Sequence, residues 1–212
     1  GSLVNTVSCN TVTNNKWWGI DLEGESSGNT IDSNTIFNNV IGIRLGSDID
    51  ENRICGNNIT GNEKGIWATT TQHNVIEGNV ITKNGNGICG EGAYGCEIHG
   101  NYIANNIDCG ILLVGSSWYA IVGNNIANNT NGILLSGSNY SPLIHQNYIV
   151  NNRNGILLVT SNYNSIWWNT IENNEKGVWL EGSHYNLIYR NNFTNNTVQA
   201  YDDSPSTNQW WE

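Results

Sequence analysis

The chain has 212 residues, with 18 Asp and Glu against 8 Lys and Arg, a net charge of -10 and a mean hydropathy of -0.39. So little basic surface argues against a nucleic acid partner, and no run approaches the roughly 20 apolar residues of a membrane helix, which argues against insertion. The 5 Cys are odd in number and contain no CxxC pair, so a tetrahedral metal site is not expected. Gly1-Ser2 reads as a cloning remnant on an excised segment, and the missing leader then says nothing about secretion.

In chain order, the first element is an extended stretch around Val7, whose counterparts Ile31, Ile54, Ile76, Ile98, Ile121, Ile144, Ile166 and Ile188 recur every 22 to 24 residues. Asn10 follows, the first of nine Asn in a row that ends at Asn191. A second stretch centres on Val12, then on Ile36, Ile59, Ile81, Ile103, Ile126, Ile149, Ile171 and Phe193, and a second Asn row closes it from Asn15 to Asn196. The third element is G-[IV]-x-L, at Gly19, Gly42, Gly65, Gly87, Gly110, Gly132, Gly155 and Gly177, 22 or 23 residues apart. Apolar residues two apart mean extended chain, and no window repeats at 3.6.

Short strands broken by Asn and Gly at a fixed period wind into a coil whose turns pair in parallel about 4.8 Å apart. The expected fold is all-β, a right-handed single-stranded parallel β-helix (a solenoid) of about eight and a half coils over residues 1–200. Its length is on the order of 40 Å. The Asn rows are expected to bond from coil to coil and to tolerate left-handed backbone. The repeated Gly is expected where a side chain would clash or φ is positive. Residues 201–212, YDDSPSTNQWWE, are expected to leave the repeat, to close the last coil with Trp210 and Trp211, and to belong to a longer chain.

The coils GILLSGSNYSPLIHQNYIVNN from Gly132 and GVWLEGSHYNLIYRNNFTNN from Gly177 resemble the NosD-like family of parallel β-helix repeats, named for a periplasmic protein linked to copper-enzyme maturation. The ending NNFTNNTVQAYDDSPSTNQWW is similar to closing repeats in surface proteins of methane-producing archaea. The resemblance covers nearly the whole chain. Relatives include polysaccharide lyases, hydrolases, epimerases, disaggregatases and surface proteins of no known activity, so it implies the fold more than the function. What it implies is a secreted or cell-surface module that acts on polysaccharide, as a hydrolase or lyase, or binds it. The copper role is not carried over: the chain has no Met, and His73, His99, His145 and His184 form no known ligand motif.

Outward positions supply the candidate site. Asp21 and Glu23 beside Arg44 are the candidate catalytic group, since paired carboxylates suit hydrolysis and a base with a cation suits lyase or epimerase chemistry; a surface salt bridge is the other reading. The candidate sugar-binding aromatics are Trp17, Trp18, Trp67, Trp167, Trp168, Trp179 and Tyr189, with Tyr102 and Tyr148 in a nearby outward column. Glu77 beside His99 is a second catalytic candidate. Asp48, Asp50 and Glu51 in an enlarged loop offer oxygen ligands suited to calcium, or plain solvated charge; no other cofactor is implied. His73, Trp118, Tyr140, Tyr163 and Tyr185 share a row and are expected to stack.

Cys89, Leu112, Leu134, Leu157 and Trp179 share one outward column. A contiguous apolar stripe points to cover by a second subunit or a flanking domain, or else to a sugar platform. Cys89 and Cys109, one coil apart, either form a disulfide or are inert buried thiols. Two functions follow: a polysaccharide-acting or polysaccharide-binding module, or a non-catalytic structural or adhesion scaffold with a protein interface along Leu112 to Trp179.

Overall fold

A computed structural model describes residues 3–140 and 143–211, so Gly1 and Ser2 lie outside it. The described chain is all strand and turn, wound as a right-handed parallel solenoid of about nine turns. Three parallel sheets run its length. Sheet I has 10 strands, from Thr6–Ser8 to Gln209–Trp211; sheet II has 9, from Thr11–Thr13 to Asn192–Thr194; sheet III has 9, from Trp18–Leu22 to Val198–Asp202. Equivalent residues pair without slippage, as in Ile31↔Ile54, Ile81↔Ile103 and Ile133↔Ile156. Those β-branched columns form one continuous interior in which Ile31, Ile54, Ile103, Ile133 and Ile156 have no accessible surface.

The corners are held by amide ladders. The Asn57 backbone N–H and side-chain Nδ2 both donate to Oδ1 of Asn79, at 2.9 and 3.0 Å, while the same Nδ2 donates to the carbonyls of Ile31 and Cys55. The residue with positive φ is not the ladder Asn but the one before it, such as Asn38, Asn105 and Asn173, which leaves the ladder Asn free to point inward. A third ladder, Asn29 to Asn52 to Asn74, is broken by Cys96 and Tyr119 and resumes from Asn164 to Asn186 and Asn208. The repeated Gly answers to crowding rather than to φ: a Cβ on Gly87 would sit 2.5 Å from the Gly110 carbonyl oxygen of the next coil.

Residues 201–211 do not leave the repeat. Gln209–Trp211 pairs in register with Leu187–Tyr189, and Trp210 takes the place of the inward Ile. The physical reason is Asp202, whose carboxylate accepts from Asn208 Nδ2 at 2.9 Å and Trp210 Nε1 at 3.0 Å and draws the segment back into a further coil. No helix among the described residues is long and apolar enough to cross a membrane.

Candidate functional site

Sheet I alternates inward Ile with outward positions, so each outward column lines up residues one coil apart. One column reads Asp32, Cys55, Glu77, His99, Val122, His145, Trp167, Tyr189 and Trp211. Its first half is charged. Arg53, from the neighbouring column, makes an ion pair with Glu77, and the other Glu77 oxygen lies 3.2 Å from His99 Nε2. The Cys55 thiol donates to Asp32 Oδ1 at 3.4 Å and accepts from Arg53 at 3.2 Å. These residues line a depression of about 450 Å3, bordered by Gly56, Gly78 and Gly100, and His99 also lines the next one, of about 320 Å3. With no side chains, those glycines leave the rim low. Glu77 and His99 are legible in the sequence, and the same spacing carried two coils back places Cys55 and Asp32 in their column, whereas Arg53 reaches in from the neighbouring one.

Sheet III brings Asp21, Glu23 and Arg44 together as the spacing predicts. Arg44 lies 3.1 Å from Asp21 and 3.5 Å from Glu23, and its side chain is only 14% exposed. Its guanidinium lies between the rings of Trp18 and Trp67, 4.8 and 5.9 Å from their centroids, with Lys64 4.3 Å from the Trp67 centroid. Burial lifts the Asp21 carboxyl above its ordinary value, and the opposing pull of Arg44 does not cancel it. The cation is spent on its own carboxylates under two indoles, a geometry suited to clamping three coils. Trp17, 69% exposed, stands outside this stack.

The remaining aromatics are mostly spent on one another. His145–Trp167, Trp167–Tyr189, Trp179–Tyr201, Tyr140–Tyr163 and Tyr163–Tyr185 all stack, with centroids 4.0–5.8 Å apart and planes within 3–19°. Rings stacked along the axis turn edges, not faces, to solvent. Trp179 is further occupied by Lys176, 3.6 Å from its ring centroid. His73 and Trp118 do not join the tyrosine stack but meet Tyr94, because Gly95 holds the place between them in the row. Trp168 leaves the strand into the turn at φ 52, and Tyr102 and Tyr148 belong to sheet II, away from Trp167.

Leu112, Leu134 and Leu157 are half-buried and in register on sheet III, while Cys89, expected outward among them, has no accessible surface, lying between the larger Trp67 and Leu112. All five cysteines are free, with Cys9 alone exposed, so Cys89 and Cys109 are not bridged. Burial pushes both of their thiols from 9.0 up to about 12. A raised thiol pKa stabilises the fold below the unfolded value, and that contribution is lost as pH climbs from about 9 through about 12. At pH 8 an aromatic disulfide reagent is expected to titrate one thiol promptly and the other four only after unfolding; two or more prompt thiols in the native protein would contradict this burial.

Among the described residues no three His, Cys, Asp or Glu side chains form a group that could hold a metal ion. The histidines are dispersed and engaged: His99 with Glu77, His145 with Trp167, His184 with Thr207, His73 with Tyr94.

Comparisons agree with this architecture. The mannuronan C-5 epimerase A-module of Azotobacter vinelandii superposes with a TM-score of 0.74 at 17% identity, over 87% of this chain and 58% of that one. The periplasmic alginate epimerase AlgG gives 0.72 at 21% identity, over 89% and 50%. Tailspike protein 2 of Escherichia coli O157:H7 bacteriophage CAB120 gives 0.72 at 13% identity, over 83% and 29%. The chain thus spans less than two thirds of each of these structures, and identities this low establish the shared fold. No curated protein matches the chain. A family model described as periplasmic copper-binding protein (NosD) matches residues 1–109 and 91–212. The dispersed histidines and the lack of Met do not fit the copper of that description. Matched from end to end in its repeat, the chain belongs to the NosD family.

Proposed function

We propose that the chain is a polysaccharide-acting module of the cell exterior whose working surface is the outer face of sheet I, with Glu77 and His99 as its proton-transfer pair. The observation that carries this reading is the in-register group of Asp32, Arg53, Glu77 and His99 in one low-rimmed depression. A carboxylate that orients an imidazole is the arrangement of a general base, and the same imidazole, once protonated, returns the proton as a general acid. Arg53 sets a positive charge beside them. The coil advance of about 4.8 Å is close to that of one sugar unit in an extended glycan, so a chain laid along the axis meets equivalent positions at each coil. The epimerases that share the fold are named for mannuronan and alginate, which supports a glycan as substrate.

The rival centre is Asp21, Glu23 and Arg44, and one experiment separates the two. Acidic and neutral polysaccharides are screened for turnover, and the active one is tested on variants. His99→Ala and Glu77→Gln are expected to lower kcat/KM by about 10²- to 10⁴-fold, with Asp21→Asn close to the parent. Full activity in His99→Ala with loss in Asp21→Asn would move the centre to sheet III, and failure to bind or turn over any polysaccharide would end the proposal.

A further inference from the structure

Along the same face of sheet I the chemistry changes from charged to aromatic. The stack His145–Trp167–Tyr189 stops at Tyr189: Trp211, on the paired position of the next strand, is 64% exposed and stacks on no ring among the described residues. Beside these two rings lies a depression of about 510 Å3, lined by Leu187, Tyr189, Arg190, Gln209 and Trp211. Its volume falls in the range of small-ligand sites. Its walls are set before any ligand arrives, because the strand carrying Trp211 is paired with Leu187–Tyr189 and anchored through Trp210 Nε1 to Asp202.

Arg190 gives the depression its sign. In a chain with 18 acidic and 8 basic side chains, it pairs with no carboxylate among the described residues; its guanidinium rests 5.8 Å from the Trp168 ring centroid. Arg53, by contrast, is already bound to Glu77. A planar guanidinium without a partner binds a carboxylate or sulfate through two parallel hydrogen bonds. Aromatic rings beside it pack against the C–H face of a pyranose, and the Gln209 amide offers a donor and an acceptor to hydroxyls.

We propose that this depression is a subsite for one anionic pyranose unit, its carboxylate or sulfate held by Arg190 and its ring packed on Trp211 and on the one face of Tyr189 that the stack leaves open. The proposal rests on the polysaccharide reading of sheet I. Four coils separate Tyr189 from His99, about 19 Å at the spacing of paired strands. The charged unit is therefore recognised several sugars away from the proton-transfer pair, and the subsite acts on binding rather than on the chemical step.

The test is calorimetric titration of the whole chain with three hexasaccharides of one backbone: carboxylated, sulfated and uncharged. One of the anionic hexamers is expected to bind more tightly than the uncharged one, and which of them does so identifies the anion. Arg190→Ala is expected to weaken that hexamer about tenfold or more and to leave the uncharged one unchanged, with Arg190→Lys between. Trp211→Ala should weaken all three hexamers. Unchanged melting temperatures exclude misfolding of these exposed positions. Equal binding of charged and uncharged hexamers, no binding of any, or an Arg190→Ala protein that binds like the parent would overturn the proposal. Arg190-dependent binding alongside full turnover in His99→Ala would uphold the subsite and sink only the assigned reaction centre.

Discussion

Asn101→Ala is expected to destabilise the solenoid by about 4 kcal/mol, far beyond the usual cost of a single surface substitution. Asn101 is 2% exposed and serves three coils at once. Its Oδ1 accepts from the backbone N–H and Nδ2 of Asn79 at 2.9 and 3.0 Å, and its Nδ2 donates to the carbonyls of Ile76 and His99 and to Asn124 Oδ1. Alanine keeps the fold of the turn but leaves the Asn79 N–H and the Ile76 carbonyl without this partner in a place water cannot reach, and each such loss costs about 1–3 kcal/mol. For a chain of this size the melting temperature should fall by roughly 8–16 °C. The built-in control is Asn15→Ala at the exposed start of the second ladder. Among the described residues the Asn15 side chain accepts no hydrogen bond and donates only to Asn39 and the Thr13 carbonyl. Its loss should stay below about 1 kcal/mol. Because each coil contacts only its neighbours, amide exchange in the Asn101 variant should quicken first around Asn79 and Asn124. Equal, small losses at both positions would mean that the ladder decorates the corner without holding it.

The fold was legible because its physics repeats. A column that is Ile in coil after coil can only face inward, and period-two apolar pairs can only be strand, so sheets, register and interior all follow from positions 22 or 23 apart. Breaks in the repeat were harder. The third Asn ladder is hidden by Cys96 and Tyr119, and Cys89 sits in an outward column yet is covered, because bulk on the adjacent coils rather than direction decides exposure. The site was half legible for a related reason. Spacing brought Glu77 to His99 and Asp21 to Arg44, but not the reach of Arg53 from the neighbouring column to Glu77. Nor does composition reveal that stacked rings consume their own faces, which removes Trp179 and Trp167 as open platforms and leaves the unstacked Trp211 as the informative one.

The break at Tyr119 also yields the second large effect. The column that holds Leu45, Leu113, Leu135 and Leu158 has Gly90 in the middle, and the repeat alone would suggest that Leu belongs there. Tyr119 explains the exception. Its ring enters the interior where the other coils of that ladder place a shorter side chain, it is 1% exposed, and its hydroxyl would lie 2.6 Å from a Cβ on residue 90. The same Cβ would meet Leu113 Cδ2 at 2.8 Å. Restoring the consensus with Gly90→Leu should therefore cost about 3 kcal/mol or more, since neither the phenol nor the packed strand beyond can give way. Tyr119→Ala alone empties the space of a buried ring and should cost about 3–5 kcal/mol. Together the two changes trade one filler for another: leucine occupies the vacated volume, the clash disappears, and the double variant should be more stable than either single one. A double-mutant cycle by thermal or urea unfolding should return a coupling of at least about 2 kcal/mol in that direction. Additive losses would show that Gly90 is required by its own backbone, and that Tyr119 merely happens to lie beside it.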